Sequence, residues 1–218
     1  MKKENDNFDE EKEPIKIILL GDSGVGKTNI ISRYLKDEFN NYSTTTIGTT
    51  FGEKVLVRNG RKYNLNIWDT TGQEIYRSVT KLFILGAKIV ILVYSINNKD
   101  SFESLDYWHN SISEVCNENI ILAIVANKQD LFDQESEDEG DFVPEDKGQE
   151  YAKSKQAIFK LVSAKCDKKG IDSLFDQLLD TYIQKNPISE SIVGENKENR
   201  SIVIDNKKIK VKQRRRCC

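Results

Sequence analysis

The residues best placed to do chemistry begin at Gly21-Asp22-Ser23-Gly24-Val25-Gly26-Lys27-Thr28. Glycine costs backbone entropy, so three of them at one corner imply a sharp turn or a close approach to the main chain. The spacing fits G-x-x-x-x-G-K-[ST], which suits the cradling of a polyphosphate. Backbone N–H groups of such a loop, and of the helical turn after it, converge on negative charge. Lys27 then reaches the terminal phosphates and stabilises the charge that develops on them, while the Thr28 hydroxyl takes one place on a Mg²⁺ ion. The competing reading, a plain glycine turn, leaves the lysine and the hydroxyl unexplained.

Three more groups extend that chemistry. In "WDTTGQE", Asp69 offers a carboxylate to Mg²⁺, usually through water; Gly72 can bring its N–H to a terminal phosphate; Gln73 can orient an attacking water. In "NKQD", Asp130 can accept both the N1–H and the N2 amino hydrogens of guanine. Adenine would leave that carboxylate unpaired, which is a strong basis for discrimination. Asn127 would tie the loops together and Lys128 would lie along the base. In "SAK", Ser163-Ala164-Lys165, the Ala164 N–H can meet the guanine O6.

Such residues need elements to position them. Ile15–Leu20 reads as a buried strand, and Ile30, Ile31, Tyr34 and Leu35 follow at helical spacing. "NNYSTTTIGTT" suits neither element, whereas "FGEKVLVRNGRKYNLNIW" reads as two strands around an Asn59-Gly60 turn. Further strands are expected at 87–96, 119–127 and 157–164, separated by helices near 74–85, 101–116, 145–156 and 171–185. Apolar runs without alternation indicate strands buried on both faces, as in parallel sheets. The expected fold is therefore α/β: a six-stranded, mostly parallel sheet with one antiparallel strand and helices on both faces. Ligands in such sheets bind beyond the carboxyl ends of the strands, where all four motifs fall. The expected organisation is a polar extension at 1–14, a nucleotide domain at 15–185, and a disordered polar tail at 186–218.

Composition narrows the function classes. The hydrophobic fraction is 38% and the net charge −2, so no global field favours nucleic acid. Charge is instead local, in "KKENDNFDEEKE", "DQESEDEGD" and "KKIKVKQRRR". The basic tail has no interleaved aromatic residues to stack on bases, so no nucleic-acid partner is expected. No signal peptide, N-terminal myristoyl glycine or membrane span is expected. Four cysteines without framework spacing fit a reducing compartment, with Cys116 and Cys166 as ordinary small side chains. His109, the only histidine, suits a surface position better than catalysis.

On these residues the chain resembles the Ras superfamily of small GTPases over about Ile15 to Lys185, and within it the Rab family. "GDSGVGKT", "WDTTGQE", "NKQD" and "SAK" carry the superfamily likeness; "TIGTTF", "LNIW", "YRSVT", Gly86-Ala87, "VYSI" and the final "CC" carry the Rab likeness. The resemblance implies a P-loop GTPase fold and a Mg²⁺-dependent switch. Such a switch slowly hydrolyses GTP to GDP and recruits effectors in vesicle-mediated membrane trafficking. It implies that Thr46 is the switch I threonine completing the Mg²⁺ shell, and that Phe39 flanks the guanine ring. Ile47, Phe51, Trp68 and Phe83 would contribute to a partner-binding surface, although core packing is an equal reading for the three aromatic residues. Cys217 and Cys218 would carry geranylgeranyl groups. Expected partners are an exchange factor, a GTPase-activating protein, an escort protein, a dissociation inhibitor and effectors. The expected state is a monomer on the cytoplasmic face of endomembranes, with a cytosolic pool.

Departures from the family pattern are Thr71 in place of alanine, Ile75 and Leu85 in place of arginine, and Leu161 in place of glutamate. Thr71 lies between the Mg²⁺ aspartate and the phosphate-sensing glycine, which motivates a rival reading: a nucleotide-locked binding module whose hydrolysis has decayed. The acidic residues between Asp133 and Asp141 suit a solvated loop or a partner contact.

Overall fold

β1, Ile15–Leu20, sends Ile15, Ile17 and Leu19 into one core layer and Ile18 and Leu20 into another. Both faces are buried, so the strand reads as a continuous apolar run. The structure, a computed structural model, describes residues 13–41, 50–70, 77–116, 119–132 and 142–187. The chain forms two units, Met1–Asn186 and Pro187–Cys218.

The other strands are β2 (Thr50–Arg58), β3 (Arg61–Asp69), β4 (Ile89–Ser95), β5 (Ile121–Asn127) and β6 (Ile158–Leu161). Their order in the sheet is β2-β3-β1-β4-β5-β6. Among the described residues only the β2–β3 pair is antiparallel; β1 pairs parallel with β3 and β4, β4 with β5, and β5 with β6. The hairpin turns at Asn59 (φ 52°) and Gly60 (φ 75°), the two positive dihedrals that match the twist of the flanking strands.

Helices α1 (Lys27–Lys36) and α6 (Lys168–Lys185) supply Ile30, Tyr34, Phe175 and Leu178 to one layer. There Tyr34 stacks on Phe175 with ring centroids 3.7 Å apart. The opposite layer takes Ile84 from α2 (Arg77–Ile84), Leu105 and Trp108 from α4 (Leu105–Ser113) and Ala152 from α5 (Glu145–Ser154). Each fully buried large aliphatic side chain stabilises such a layer by about 1.5–3 kcal/mol relative to exposure.

Differences from the sequence reading lie at element ends. The helix expected at 101–116 is two, α3 (Lys99–Glu103) and α4, meeting at Ser104. It starts earlier because the Asn98 side chain accepts from the Ser101 N–H at 2.9 Å. α6 likewise begins at Lys168, where Asp167 accepts from the Gly170 N–H at 2.8 Å. β6 stops at Leu161, short of 164, because Ser163 turns into a loop whose carbonyl accepts from the Asp167 N–H at 2.8 Å.

Candidate functional site

A cleft of about 370 Å³ is lined by Ser23, Gly24, Gly26, Lys27 and Thr28, by Phe39, by Asn127, Lys128 and Asp130, and by Ala164 and Lys165. Apart from Phe39, which follows α1, these residues come after β1, β5 and β6, so most of the lining gathers at the carboxyl ends of the strands. Gly21, Asp22, Val25, Asp69 and Ser163 are not among the lining residues. Thr46, Ile47, Thr71, Gly72, Gln73, Cys217 and Cys218 lie outside the described residues.

At one end of the cleft the glycine loop is shaped by close approach. A Cβ on Gly21 (φ 141°) would stand 2.1 Å from the Val93 carbonyl oxygen, and one on Gly26 (φ 98°) 2.3 Å from Asn127 Nδ2. Lys27 is 5% exposed, and its ammonium donates to the carbonyls of Gly21 (2.7 Å) and Asp22 (2.8 Å). Burial pulls its pKa down to about 8, against the opposing pull of Asp69 and Asp22. A phosphate oxygen would replace those carbonyls with a full charge. The Thr28 hydroxyl donates to Asp69 Oδ2 at 2.8 Å, so two hard oxygens meet at the head of α1, a donor set that suits Mg²⁺. Thr70 secures the same strand end through its hydroxyl, which donates to the Leu19 carbonyl at 2.6 Å.

At the other end Asn127, 1% exposed, joins two loops. Its Nδ2 donates to the Val25 carbonyl (2.8 Å) and its Oδ1 accepts from the Ala164 N–H (3.1 Å). Ser163 Oγ donates to Asp130 Oδ1 at 2.5 Å, and Lys165 Nζ stands 3.9 Å from Asp130 Oδ2. Lys128 adopts a left-handed backbone (φ 70°), and burial lowers its pKa while Asp130 opposes the shift. A cation–carboxylate cluster thus stands at one end of the cleft, and the glycine loop with Lys27 and Thr28 at the other.

The Ras family model matches residues 16–185. The chain belongs to the Ras family. Rab-18 of Caenorhabditis elegans is 36% identical over 171 residues, covering 78% of this chain and 80% of that protein. RABA1b of Arabidopsis thaliana is 36% identical over 164 residues, 75% of this chain and 73% of its own. Rab-10 of Diplobatis ommata is 37% identical over 175 residues, 80% and 84% respectively. The protein is a Rab-like small GTPase, a switch that binds guanine nucleotides, hydrolyses GTP to GDP and serves vesicle trafficking with the regulators and effectors usual for the family. No helix among the described residues is long and apolar enough to cross a membrane.

Two supporting residues of this GTPase escaped the sequence reading. Trp108, 1% exposed, donates from Nε1 to Asp22 Oδ1 at 2.8 Å, which holds the carboxylate of the glycine loop on α4. Arg33 on α1 donates to the carbonyls of Ala164 and Lys165, both at 2.9 Å, and to Asp37. Neither contact follows a sequence pattern, since the partners are 86 and about 131 residues apart.

The three aromatic residues expected at a partner-binding surface divide. Phe51 is 57% exposed and stacks on Trp68 at 5.4 Å between centroids. Trp68 and Phe83 are half-buried against the core layer that holds α2 and α4. Lys16 bridges this region, its ammonium 4.9 Å from the Trp68 ring centroid and bonded to the Leu85 carbonyl at 2.8 Å. Leu82 and Leu85 are also exposed, which extends the apolar surface along α2. His109 lies on α4 and does not line the cleft, and Cys116 and Cys166 are free thiols.

Proposed function

We propose that the cleft binds GTP with its phosphates on Ser23 to Thr28 and its base against Asp130. The observation that carries this is Asn127, whose one side chain holds the phosphate loop at Val25 and the base loop at Ala164. Phe39 covers one side of the base and Lys128 the other. Ala164 shares its N–H with the guanine O6. Thr28 and Asp69, with Thr46, are the residues that would hold Mg²⁺, which supplies charge neutralisation at the terminal phosphates. Gln73 orients the water that attacks the terminal phosphorus in line, and the bond to the bridging oxygen of GDP breaks. Lys27 and the loop N–H groups stabilise the charge that moves onto that oxygen. Loss of the terminal phosphate releases Thr46 and Gly72, which changes the surface that partners read.

Single-turnover hydrolysis tests this reading. Turnover is expected at roughly 10⁻⁴ s⁻¹, as for Ras, abolished by chelation of Mg²⁺ and absent with ATP. Tight GTP binding without turnover, with or without cell extract, would instead favour the nucleotide-locked module that Thr71 suggests.

The proposal extends to the tail, residues 186–218. Cys217 and Cys218 each take a geranylgeranyl group from an enzyme working with an escort protein, and a dissociation inhibitor maintains a cytosolic pool. Two lipids suffice where one short chain anchors marginally. Lys207, Lys208, Lys210, Lys212 and Arg214 to Arg216 reinforce them, each basic residue contributing about 1 kcal/mol at an anionic leaflet. Exchange of both cysteines for serine is expected to leave nucleotide binding intact and move the protein wholly to the cytosol, read by fractionation. An unmodified terminal peptide, by mass spectrometry, on a membrane-bound protein would exclude the lipid anchor. Phe51, Trp68 and Phe83, with Ile47, form the effector surface in this reading, exposed at Phe51 and backed by the core at the other two aromatic positions.

A further inference from the structure

Arg33 is 15% exposed and its guanidinium makes four hydrogen bonds. Nε donates to the Ala164 carbonyl and one Nη to the Lys165 carbonyl, both at 2.9 Å; the other Nη donates to Asp37 Oδ1 at 2.8 Å and the Asp37 carbonyl at 3.0 Å. The two gripped carbonyls belong to consecutive peptide groups. In a trans peptide the N–H points opposite to the carbonyl. Here those N–H groups, of Lys165 and Cys166, both point at Ser163 Oγ, at 3.2 and 3.3 Å. With its lone pairs held by two donors, the Ser163 hydroxyl has one direction left for its hydrogen. It donates to Asp130 Oδ1 at 2.5 Å. A positive charge, two aligned peptide dipoles, one hydroxyl and a negative charge thus form an unbroken series, in which each hydrogen bond polarises the next.

We infer that Arg33 is a positioning residue for base selection, acting on Asp130 through the peptide groups after Ala164 and Lys165 and the Ser163 hydroxyl. This rests on the reading of Asp130 as the acceptor for guanine N1–H and N2. The series fixes one carboxylate oxygen, so that both oxygens stand in the plane the base requires. It also ties that geometry to α1, the helix that opens with Lys27 and Thr28, and so couples base fit to phosphate fit. Without the guanidinium the two carbonyls lose their charged donor, the N–H bonds to Ser163 Oγ are less polarised and less firmly oriented, and the hold of Ser163 on Asp130 weakens.

The test compares dissociation constants for GDP and inosine diphosphate, which share phosphates, ribose, O6 and N1–H and differ only in the N2 amino group. Arg33→Met keeps the aliphatic stem and removes the guanidinium. It is expected to lower the ratio of the two constants, inosine over guanosine, by about 5- to 10-fold, the net scale of one ordinary hydrogen bond. Arg33→Lys, able to grip one carbonyl, should restore part of the ratio. Asp37→Asn, which leaves both carbonyl contacts in place, should keep the wild-type ratio. Equal weakening of both nucleotides by Arg33→Met would show a merely structural role and overturn the proposal. So would a collapse of the ratio in Asp37→Asn, because the carbonyl contacts would then not be the route. Should Arg33→Met not fold, Ser163→Ala must lower the ratio by a similar factor, and an unchanged ratio there overturns the series. A wild-type ratio near one is a different failure. It would remove Asp130 as the N2 acceptor, and the role of Arg33 with it, before any variant is measured.

Discussion

Asp130→Asn is expected to weaken GDP and GTP binding by about 10³-fold and to make xanthine nucleotides the better ligands. A carboxylate accepts two hydrogens in one plane, one from N1 and one from the N2 amino group. An amide keeps one acceptor and turns a donor toward the base, so one donor of guanine faces another. Sites built to pair a polar group discriminate by about 10⁴–10⁵ when the partner is missing, and a partly retained bond reduces that figure. Xanthine presents an oxygen where guanine has its amino group, which restores pairing with the amide. The surroundings of Asp130 add to the effect. Ser163 donates to one oxygen at 2.5 Å, and Lys165 stands 3.9 Å from the other, so this end of the cleft is arranged around a negative charge. Competition binding of guanosine and xanthosine diphosphates decides the matter. A variant that retains the wild-type preference for guanine would remove Asp130 from the base site.

Gln73→Leu is expected to leave GTP affinity near the wild-type value while slowing hydrolysis in the presence of an activating protein by about 10²–10⁴-fold. The reason is the division of labour in phosphoryl transfer. Binding rests on the phosphate loop and the base loop, whereas acceleration rests on a positioned water and on charge supplied by the activator, worth up to about 10⁵. Leucine has comparable bulk but can neither donate to nor accept from water. The segment that carries Gln73 starts from a secured point. Asp69 ends β3 in contact with Thr28, and Thr70 is bonded to the Leu19 carbonyl at 2.6 Å. Phosphate release by wild type and variant under matched activator is the measurement. Equal rates would mean that another residue orients the water, or that Thr71 has already taken the glutamine out of use.

What could be read without coordinates was contiguous. Gly21 to Thr28 announce a phosphate loop because the φ values of 141°, 78° and 98° that the turn needs are ones glycine adopts without strain. Asn59-Gly60 announces the hairpin for the same kind of reason. The strands are legible because burial on both faces removes polar residues from the run itself. In each case the trace is written in the residue itself or in its immediate neighbours along the chain.

Tertiary structure decided the rest. It put Phe51 in solvent and left Trp68 and Phe83 half in the core, which their shared aromatic character does not distinguish. It started α6 three residues before its apolar periodicity begins, because the Asp167 cap acts through a backbone N–H. Above all it supplied two supports of the site, Trp108 on Asp22 and Arg33 on the carbonyls of Ala164 and Lys165. It also gave Asn127, expected from the sequence to tie the loops, its particular partners Val25 and Ala164. Most of those contacts end on backbone groups, which are the same in every residue. A side chain that donates to a carbonyl a hundred positions away imposes no residue type on its partner, so the partner's sequence carries no trace of it.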